Sequence, residues 1–303
     1  MTSRTGLPPE AKIWQEKAGR PRRGAILMSG TGANAEALLA DVAARGEASP
    51  WRCMVMATDA PETSRTREIA AAAGCPLVEL DIRAFYRARG LETISLSTEA
   101  GRQARRAWTE ALWRLLEPYR LDFALLAGFV PLSDLPAHLP CLNVHPGDLT
   151  VVDAAGGRPL AGYAYKPIER VLCDDAMTSM RSSVILPSPI FAAEATVDDG
   201  PVLGVSPEVP VDRGGLSAAE LRAIRAARRP GTPPDDELRQ LARQNLENLK
   251  RQGDLTVFPA AARAFAEGRF ARAGSRLFFH AKEGWMEVCT VEFGPAGERP
   301  RPV

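Results

Sequence analysis

The first half of the chain alternates short apolar runs with helical patterns, and this alternation constrains the fold more than any other feature. The apolar runs occupy five stretches, residues 24–30, 51–59, 75–81, 121–129 and 141–145. Helical patterns lie between them, at 31–46, 64–74 and 97–119. Strands that alternate with helices form βαβ units, and continuous apolar runs suit strands buried on both faces. We therefore predict an α/β fold with a Rossmann-like, open, mainly parallel sheet and flanking helices.

The pattern changes after residue 145. Residues 180–187 and 201–211 indicate strands of a more antiparallel second part, and residues 237–268 indicate one long helix or two. The tail contains short strand-like pieces and ends in a polar, proline-containing stretch that predicts coil. The predicted division is an N-terminal arm (1–23), loosely attached, a catalytic domain (24–270) with a helical insertion near 213–234, and a C-terminal extension (271–303).

Composition excludes several classes of function. The 38 Lys and Arg residues nearly balance the 37 Asp and Glu residues, for a formal net charge of +1. We therefore expect neither nucleic acid nor an acidic membrane surface as a partner. The five cysteines are scattered without a CxxC pair, which argues against a disulfide framework and a cysteine-based zinc site, and we expect no metal. These features, with no apolar run suited to a signal peptide or membrane helix near the N-terminus, predict a cytoplasmic protein.

A polar pair ends the fifth apolar run, in the sequence "CLNVHPGDL". Side chains two residues apart in a strand point to the same side, so Asn143 and His145 are predicted to project together. An amide can donate to a developing oxyanion, and an imidazole can hold or pass a proton. Ligands of open α/β sheets gather at the carboxyl ends of strands. Taken alone, however, an Asn-x-His pair more often ties a loop to a strand.

A glycine-rich turn, "SGTGAN" at residues 29–34, follows the first apolar run and precedes a helical pattern. Such a turn presents backbone N–H groups at a helix N-terminus, where phosphate or another anion binds. A tight βα turn that needs glycine only for its backbone explains the same residues equally well. The turn is neither a P-loop nor a GxGxxG motif.

A third motif, "VDDGPVLG" at residues 197–204, contains two adjacent carboxylates. Asp and Gly suit turn geometry, so an ordinary turn is the favoured explanation when this stretch is taken alone. The functional alternative places one carboxylate against His145, where it would orient the imidazole.

Together, the motifs resemble the folate-dependent formyltransferases, most closely those that act on glycinamide ribonucleotide. Four matches occur in the family's order: Ser29–Asn34, the "LAGF" of Leu126–Phe129, Asn143–Pro146 and Asp198–Val202. The resemblance covers about residues 24–270. Each motif is unspecific alone, and their order carries the assignment.

The resemblance implies formyl transfer from 10-formyltetrahydrofolate to a primary amine. Asn143 and His145 would stabilise the tetrahedral intermediate, and Asp198 would orient His145 and help move a proton through water. The folate pocket would be lined by Leu126, Gly128, Phe129, Val130, Pro131, Leu132, Asp199 and Gly200. The acceptor would be bound by Gly32, Ala33, Asn34 and Arg181, with any phosphate at the first three.

The sequence departs from the family on the acceptor side. Ala33 stands where the family usually has a serine, and "MRSSVI" lacks both histidines of the family's "HGxSVH", with Arg181 nearby. Extra residues, "LPSPIFAAEAT", precede the two aspartates. The three residues with implied catalytic roles, Asn143, His145 and Asp198 (the catalytic trio), are therefore retained, while the identity of the acceptor stays open. Which of Asp198 and Asp199 acts also stays open, and the Gly-Pro that follows at the family offset favours Asp198.

Two other functions use the same residues. A hydrolase would release formate from 10-formyltetrahydrofolate with water as the acceptor, although known enzymes of that kind carry an N-terminal regulatory domain for which the short arm leaves no room. A catalytically silent folate-binding protein would keep the fold, and the intact trio argues against it. The helix face at residues 104–115 either covers the sheet, which is favoured, or pairs two subunits in a homodimer.

Overall fold

The computed structural model describes residues 6–16, 19–163, 165–193, 196–229, 231 and 233–303. In these ranges the strands are β1 (Lys12–Ile13), β2 (Arg22–Leu27), β3 (Trp51–Thr58), β4 (Leu77–Glu79), β5 (Phe123–Leu126), β6 (Cys141–His145), β7 (Ser179–Met180), β8 (Ser183–Ile185), β9 (Val202–Val205), β10 (Val209–Pro210), β11 (Phe270–Ala273), β12 (Arg276–Ala281), β13 (Gly284–Val288), β14 (Thr290–Gly294) and β15 (Gly297–Arg301). The helices are α1 (Ala33–Arg45), α2 (Thr66–Ala72), α3 (Ile82–Arg87), α4 (Glu99–Leu116), α5 (Lys166–Leu172), α6 (Ala218–Ala226), α7 (Glu237–Leu249) and α8 (Leu255–Ala266). A π-helical turn, Lys250–Asp254, joins α7 to α8.

A nine-stranded sheet organises the described part of the chain, in the order β15-β14-β9-β8-β6-β5-β2-β3-β4. The pairs from β4 to β6 are parallel. Strand β8 then pairs antiparallel with both β6 and β9. The predicted α/β fold, mainly parallel with a more antiparallel later part, is confirmed.

Apolar layers cover both faces of this sheet. On one face, the Phe123 ring makes edge contacts with Trp51 and Phe265, each with ring centroids 5.7 Å apart. On the other face, Trp108 and Leu112 of α4 are fully buried. The α4 face therefore covers the sheet, as favoured from the sequence. Burial on both sides explains why the central strands read as continuous apolar runs.

The two ends of the chain differ from the predicted arm and coil. Strand β1 pairs with β11 in a separate four-stranded sheet, and Arg20 forms an ion pair with Asp122 at 2.7 Å. The arm is therefore attached to the body over its described residues. Strands β14 and β15 extend the central sheet, and Pro300 is accommodated because β15 is an edge strand. Strands β2 and β11 also cross the predicted domain boundaries.

The predicted insertion near 213–234 contains α6. The Ser217 and Glu220 side chains form a capping box at the start of this helix, and the helix buries its Leu221 side chain fully. Farther along, Arg228 contacts Glu169 of α5 and Asp236, each at 2.7 Å. The insertion is thus a packed element of the fold.

Among the residues that the structure describes, no helix is both long and apolar enough to cross a membrane. The five cysteines are free thiols. Cys53 and Cys75 lie side by side, and the hydrogen bond between their thiols lowers the pKa of Cys75 to about 7. In the same part of the chain, no group of three or more His, Cys, Asp and Glu side chains is arranged to hold a metal ion.

Candidate functional site

The loops that follow β2, β5 and β6 meet at one edge of the central sheet. Because these strands are parallel neighbours, their carboxyl ends share that edge. The Ser29 N–H donates to the Gly128 carbonyl at 3.2 Å, and the Val130 N–H donates to Ser29 Oγ at 2.8 Å. Two of the four matched motifs, the turn at Ser29–Asn34 and the "LAGF" segment with the residue after it, therefore contact each other directly.

His145 and Asp198 are brought together at this edge. His145 Nδ1 lies 3.4 Å from Asp198 Oδ2, and the imidazole is only 4 % exposed. Asp198 adopts a left-handed backbone, with φ 59°, which an aspartate tolerates better than most residues. The contact matches the predicted catalytic pair, while the role of each residue stays a prediction.

The two adjacent aspartates have different surroundings. Asp199 accepts hydrogen bonds from the backbone N–H groups of Ser188 and Thr196, at 3.1 and 3.2 Å. Its carboxylate therefore holds the turn before it, while the carboxylate of Asp198 faces the imidazole. This geometry favours Asp198 in the choice that the sequence left open.

A segment without any sequence motif covers the pair; we call residues 158–162 the strap. The Leu160 carbonyl oxygen lies 2.8 Å from His145 Nε2, and the Gly162 N–H donates to Asp198 Oδ2 at 2.8 Å. Arg158 donates to the carbonyls of Asp198 and Gly200, each at 2.7 Å. The strap thus occupies hydrogen-bonding positions on both the imidazole and the carboxylate.

Asn143 lies on β6, two residues before His145, and is partly exposed. Its backbone is paired in the sheet opposite Leu126 and Ile185. Within the described ranges its side-chain amide has no hydrogen-bond partner, so the amide remains available to donate to a ligand.

A buried carboxylate that the sequence analysis missed lies close to this pair. Asp254, in the π-helical turn, is 3 % exposed. Ser182 Oγ donates to its Oδ1 at 2.5 Å, and Asn34 Nδ2 donates to its Oδ2 at 3.1 Å. Burial raises the pKa of Asp254 above its ordinary value, although these two hydrogen bonds and the charges of Lys250 and His145 act to lower it. In the sequence, the only indication of this buried carboxylate is an Asp that follows a Gly inside a helical pattern, in "QGDLTVF".

Replacing Asp254 by Asn is expected to raise the free energy of unfolding at pH 8 more than at pH 4. Because the folded-state pKa lies above the ordinary 3.8, the carboxyl contributes its full stability below pH 3.8. That contribution is lost as pH rises through the raised pKa, whereas an amide does not ionise. Urea unfolding between pH 4 and 8 measures the effect, with the exposed Asp235→Asn as control. An equal change at every pH would contradict the expectation.

The predicted folate loop, residues 128–132, is anchored to the protein by buried contacts and exposes apolar side chains. Phe129 stacks on Trp108 with ring centroids 6.1 Å apart, and the buried Arg105 donates to the Leu132 carbonyl. Val130 and Leu132 are 48 % and 41 % exposed, so they present an apolar surface beside the site. Of the other residues predicted to bind folate, Leu126 and Pro131 are buried, Gly128 and Gly200 have positive φ, and their binding role stays a prediction.

The residues predicted to bind the acceptor have different environments. Gly32 has φ 87°, and a Cβ there would lie 2.3 Å from the end of the Ile69 side chain, so this position at the start of α1 favours glycine. Ala33 is exposed, and Asn34 turns inward to Asp254. The predicted roles of these residues stay predictions.

Arg181 is already paired within the protein. Its guanidinium lies 2.7 Å from Glu292 and 2.9 Å from Glu208. Glu292 belongs to β14, a strand that the sequence did not place in the central sheet. The substrate-binding role of Arg181 stays a prediction, and its charge is largely compensated by these carboxylates.

The solved structures that are similar to this chain include the following three. Glycinamide ribonucleotide transformylase 1 from Symbiobacterium toebii is 23 % identical, with 86 % of this chain and 94 % of that chain covered and a TM-score of 0.51. Phosphoribosylglycinamide formyltransferase from Coxiella burnetii is 18 % identical, with 88 % and 98 % covered and a TM-score of 0.55. A formyltetrahydrofolate deformylase from Pseudomonas putida KT2440 is 12 % identical, with 86 % and 71 % covered and a TM-score of 0.53.

No family model matches the chain, and the search of curated proteins gives no match. The structural likeness therefore establishes the fold, and it confirms the predicted formyltransferase fold. Function has to be argued from the site, because one fold serves many activities.

Proposed function

We propose that this chain is an enzyme that transfers the formyl group of 10-formyltetrahydrofolate to a primary amine of a small molecule, either glycinamide ribonucleotide or an amine of specialised metabolism. One observation carries the proposal: the Asp198 carboxylate lies 3.4 Å from the His145 imidazole, at the end of the strand that bears Asn143. The likeness to two formyltransferases in fold is consistent with it.

The first step is attack by the amine nitrogen on the formyl carbon. A C–N bond forms, and the carbonyl π electrons move to oxygen, which becomes an oxyanion. Asn143 donates its amide N–H to this oxyanion, and His145 donates a second hydrogen bond. Donors placed where charge develops lower the barrier, because they stabilise the transition state more than the substrate.

In the second step a lone pair of the oxyanion re-forms the carbonyl π bond as the bond between the formyl carbon and N10 of the folate breaks. The attacking nitrogen gives up a proton, and N10 takes one as it leaves with the bonding electron pair. His145 and Asp198 hold and pass this proton, the carboxylate orienting the imidazole. The apolar surface of Val130 and Leu132 supports the folate ring beside them.

Catalysis requires the strap to withdraw from the imidazole. The Leu160 carbonyl oxygen takes the hydrogen-bonding position at His145 Nε2 that a substrate oxygen would need. Gly162, two residues after Leu160, has φ 120°, a backbone conformation that favours glycine. Substrate binding is expected to replace the carbonyl of Leu160 at the imidazole.

A transfer assay tests the proposal. The purified chain is mixed with 10-formyltetrahydrofolate and a panel of small primary amines, and both tetrahydrofolate and the formylated amine are quantified. We expect tetrahydrofolate to form only when an amine is present, in equal amount to the formylated product. Equal turnover without amine would instead identify a hydrolase, and folate binding without turnover a silent binding protein.

A further inference from the structure

A cleft of about 580 Å³ opens between α5 and α6, and residues Pro159 and Leu160 of the strap line it. Three arginines line it, Arg170, Arg222 and Arg225, and we call it the arginine cleft. Leu160 of the strap forms part of its wall. Because the Leu160 carbonyl contacts His145, this residue connects the wall of the cleft to the imidazole.

The arginine cleft carries uncompensated positive charge. Arg222 pairs with Asp175 at 2.8 Å, and Arg170 donates to the Pro159 carbonyl, a neutral group. Arg225 forms no hydrogen bond or ion pair with any other described residue. Asp174, the remaining carboxylate of the lining, balances only one of these two cations. Guanidinium groups suit phosphate and carboxylate, to which they donate two parallel hydrogen bonds.

A second cavity, of about 200 Å³, also has Leu160 in its lining and carries charge of the opposite sign. Asp148 and Glu208 line it, with Arg181 between them at 3.8 and 2.9 Å, so its carboxylates outnumber its cation. Gly147 also lines it, and a Cβ on Gly147 would lie 3.1 Å from His145 Nε2. Pro146, which follows His145 in the chain, and Leu160, whose carbonyl contacts the imidazole, also line this acidic cavity, so the cavity adjoins the imidazole. Leu160 and Met177 line both spaces.

We infer that the acceptor is an amine that also carries an anionic group, phosphate or carboxylate, and that this group binds in the arginine cleft while the amine reaches past Leu160 into the acidic cavity. The inference rests on the proposed function. It gives the helical insertion near 213–234 a purpose, since α6 supplies Arg222 and Arg225. It also moves the anion site away from the turn at Gly32–Asn34.

Binding measurements test the inference without requiring turnover. Calorimetry would measure the Kd of 2-aminoethyl phosphate, β-alanine and ethanolamine, which share a primary amine and differ in the anionic group. We expect one of the two anionic amines to bind at least about ten-fold more tightly than ethanolamine, and the better of them identifies the group. Arg225→Gln should weaken its binding by about ten-fold, the equivalent of one charge-assisted contact.

A matched variant tests whether the loss is specific to the arginine cleft. Arg229→Gln removes the same charge from an exposed position that does not line the cleft, and it should leave binding unchanged. Equal binding of all three amines, or equal losses in both arginine variants, would each overturn the inference.

Different results would refute the proposed formyl transfer and the proposed anion site in the arginine cleft. Arginine-dependent binding with no formylated product would leave the cleft assigned and refute formyl transfer. Formyl transfer to amines regardless of an anionic group, unchanged in Arg225→Gln, would leave the proposed function standing and refute the cleft.

Discussion

Replacing His145 by Ala is expected to lower kcat for formyl transfer about 1,000-fold or more. The imidazole is assigned both a hydrogen bond to the oxyanion and a proton transfer, each of which contributes about 100-fold or more. Both interactions develop in the transition state, so the loss should fall on kcat and leave KM nearly unchanged. Stopped assays of the formylated product, with excess enzyme for the variant, measure it.

His138→Ala is the matched control. His138 stacks on Trp113 with ring centroids 4.9 Å apart and lies 3.8 Å from Glu110, outside the site. Its variant should keep a rate within about two-fold of the parent, since no catalytic group contacts it. Urea unfolding of both variants separates a catalytic loss from a folding defect. A folded His145→Ala protein with near-parental kcat would refute the mechanism.

Much of the central sheet could be predicted because its signals are local. A strand buried on both faces has a continuous apolar run wherever it occurs. Strands β3, β5 and β6 each lie within such a run, and β2 overlaps one. Their parallel arrangement follows from the helices between them. Helices α3 and α5 lie outside the predicted segments, because six and seven residues contain too few turns to display a period.

The pairing of distant segments had no comparable signal. Strand β14 pairs with β9 through Val291 and Gly204, and nothing in either local pattern specifies the other. Its Glu292 neutralises Arg181, which the sequence assigned to substrate. The sequence therefore indicated which residue types carry chemistry, but it did not indicate which charges the fold compensates.

In the candidate site too, residues with a sequence motif could be predicted and residues placed only by the fold could not. Asn143, His145 and Asp198 could be proposed because their motifs follow one another in a family order. The strap could not, because it contacts His145 through the backbone carbonyl of Leu160, and any residue has such a carbonyl. Asp254 was hidden within a helical pattern, since a buried polar residue is recognised only when its partners are known.

Replacing Asp198 by Asn is expected to lower kcat about 100-fold or more, with folding intact. The amide has nearly the shape of the carboxylate, tolerates the left-handed backbone and can still accept from the Gly162 N–H. It lacks the negative charge that orients the imidazole and stabilises its protonated form during the reaction.

Asp199→Asn should lower kcat less than about ten-fold. Its carboxylate accepts from two backbone N–H groups, of Ser188 and Thr196, and an amide oxygen keeps one of these bonds. Losing the other hydrogen bond should slightly lower the free energy of unfolding, because the turn is held less firmly. The two variants remove the same charge from adjacent residues, so a difference in kcat reports which carboxylate faces the imidazole. Equal losses, or a larger loss in Asp199→Asn, would remove Asp198 from the mechanism.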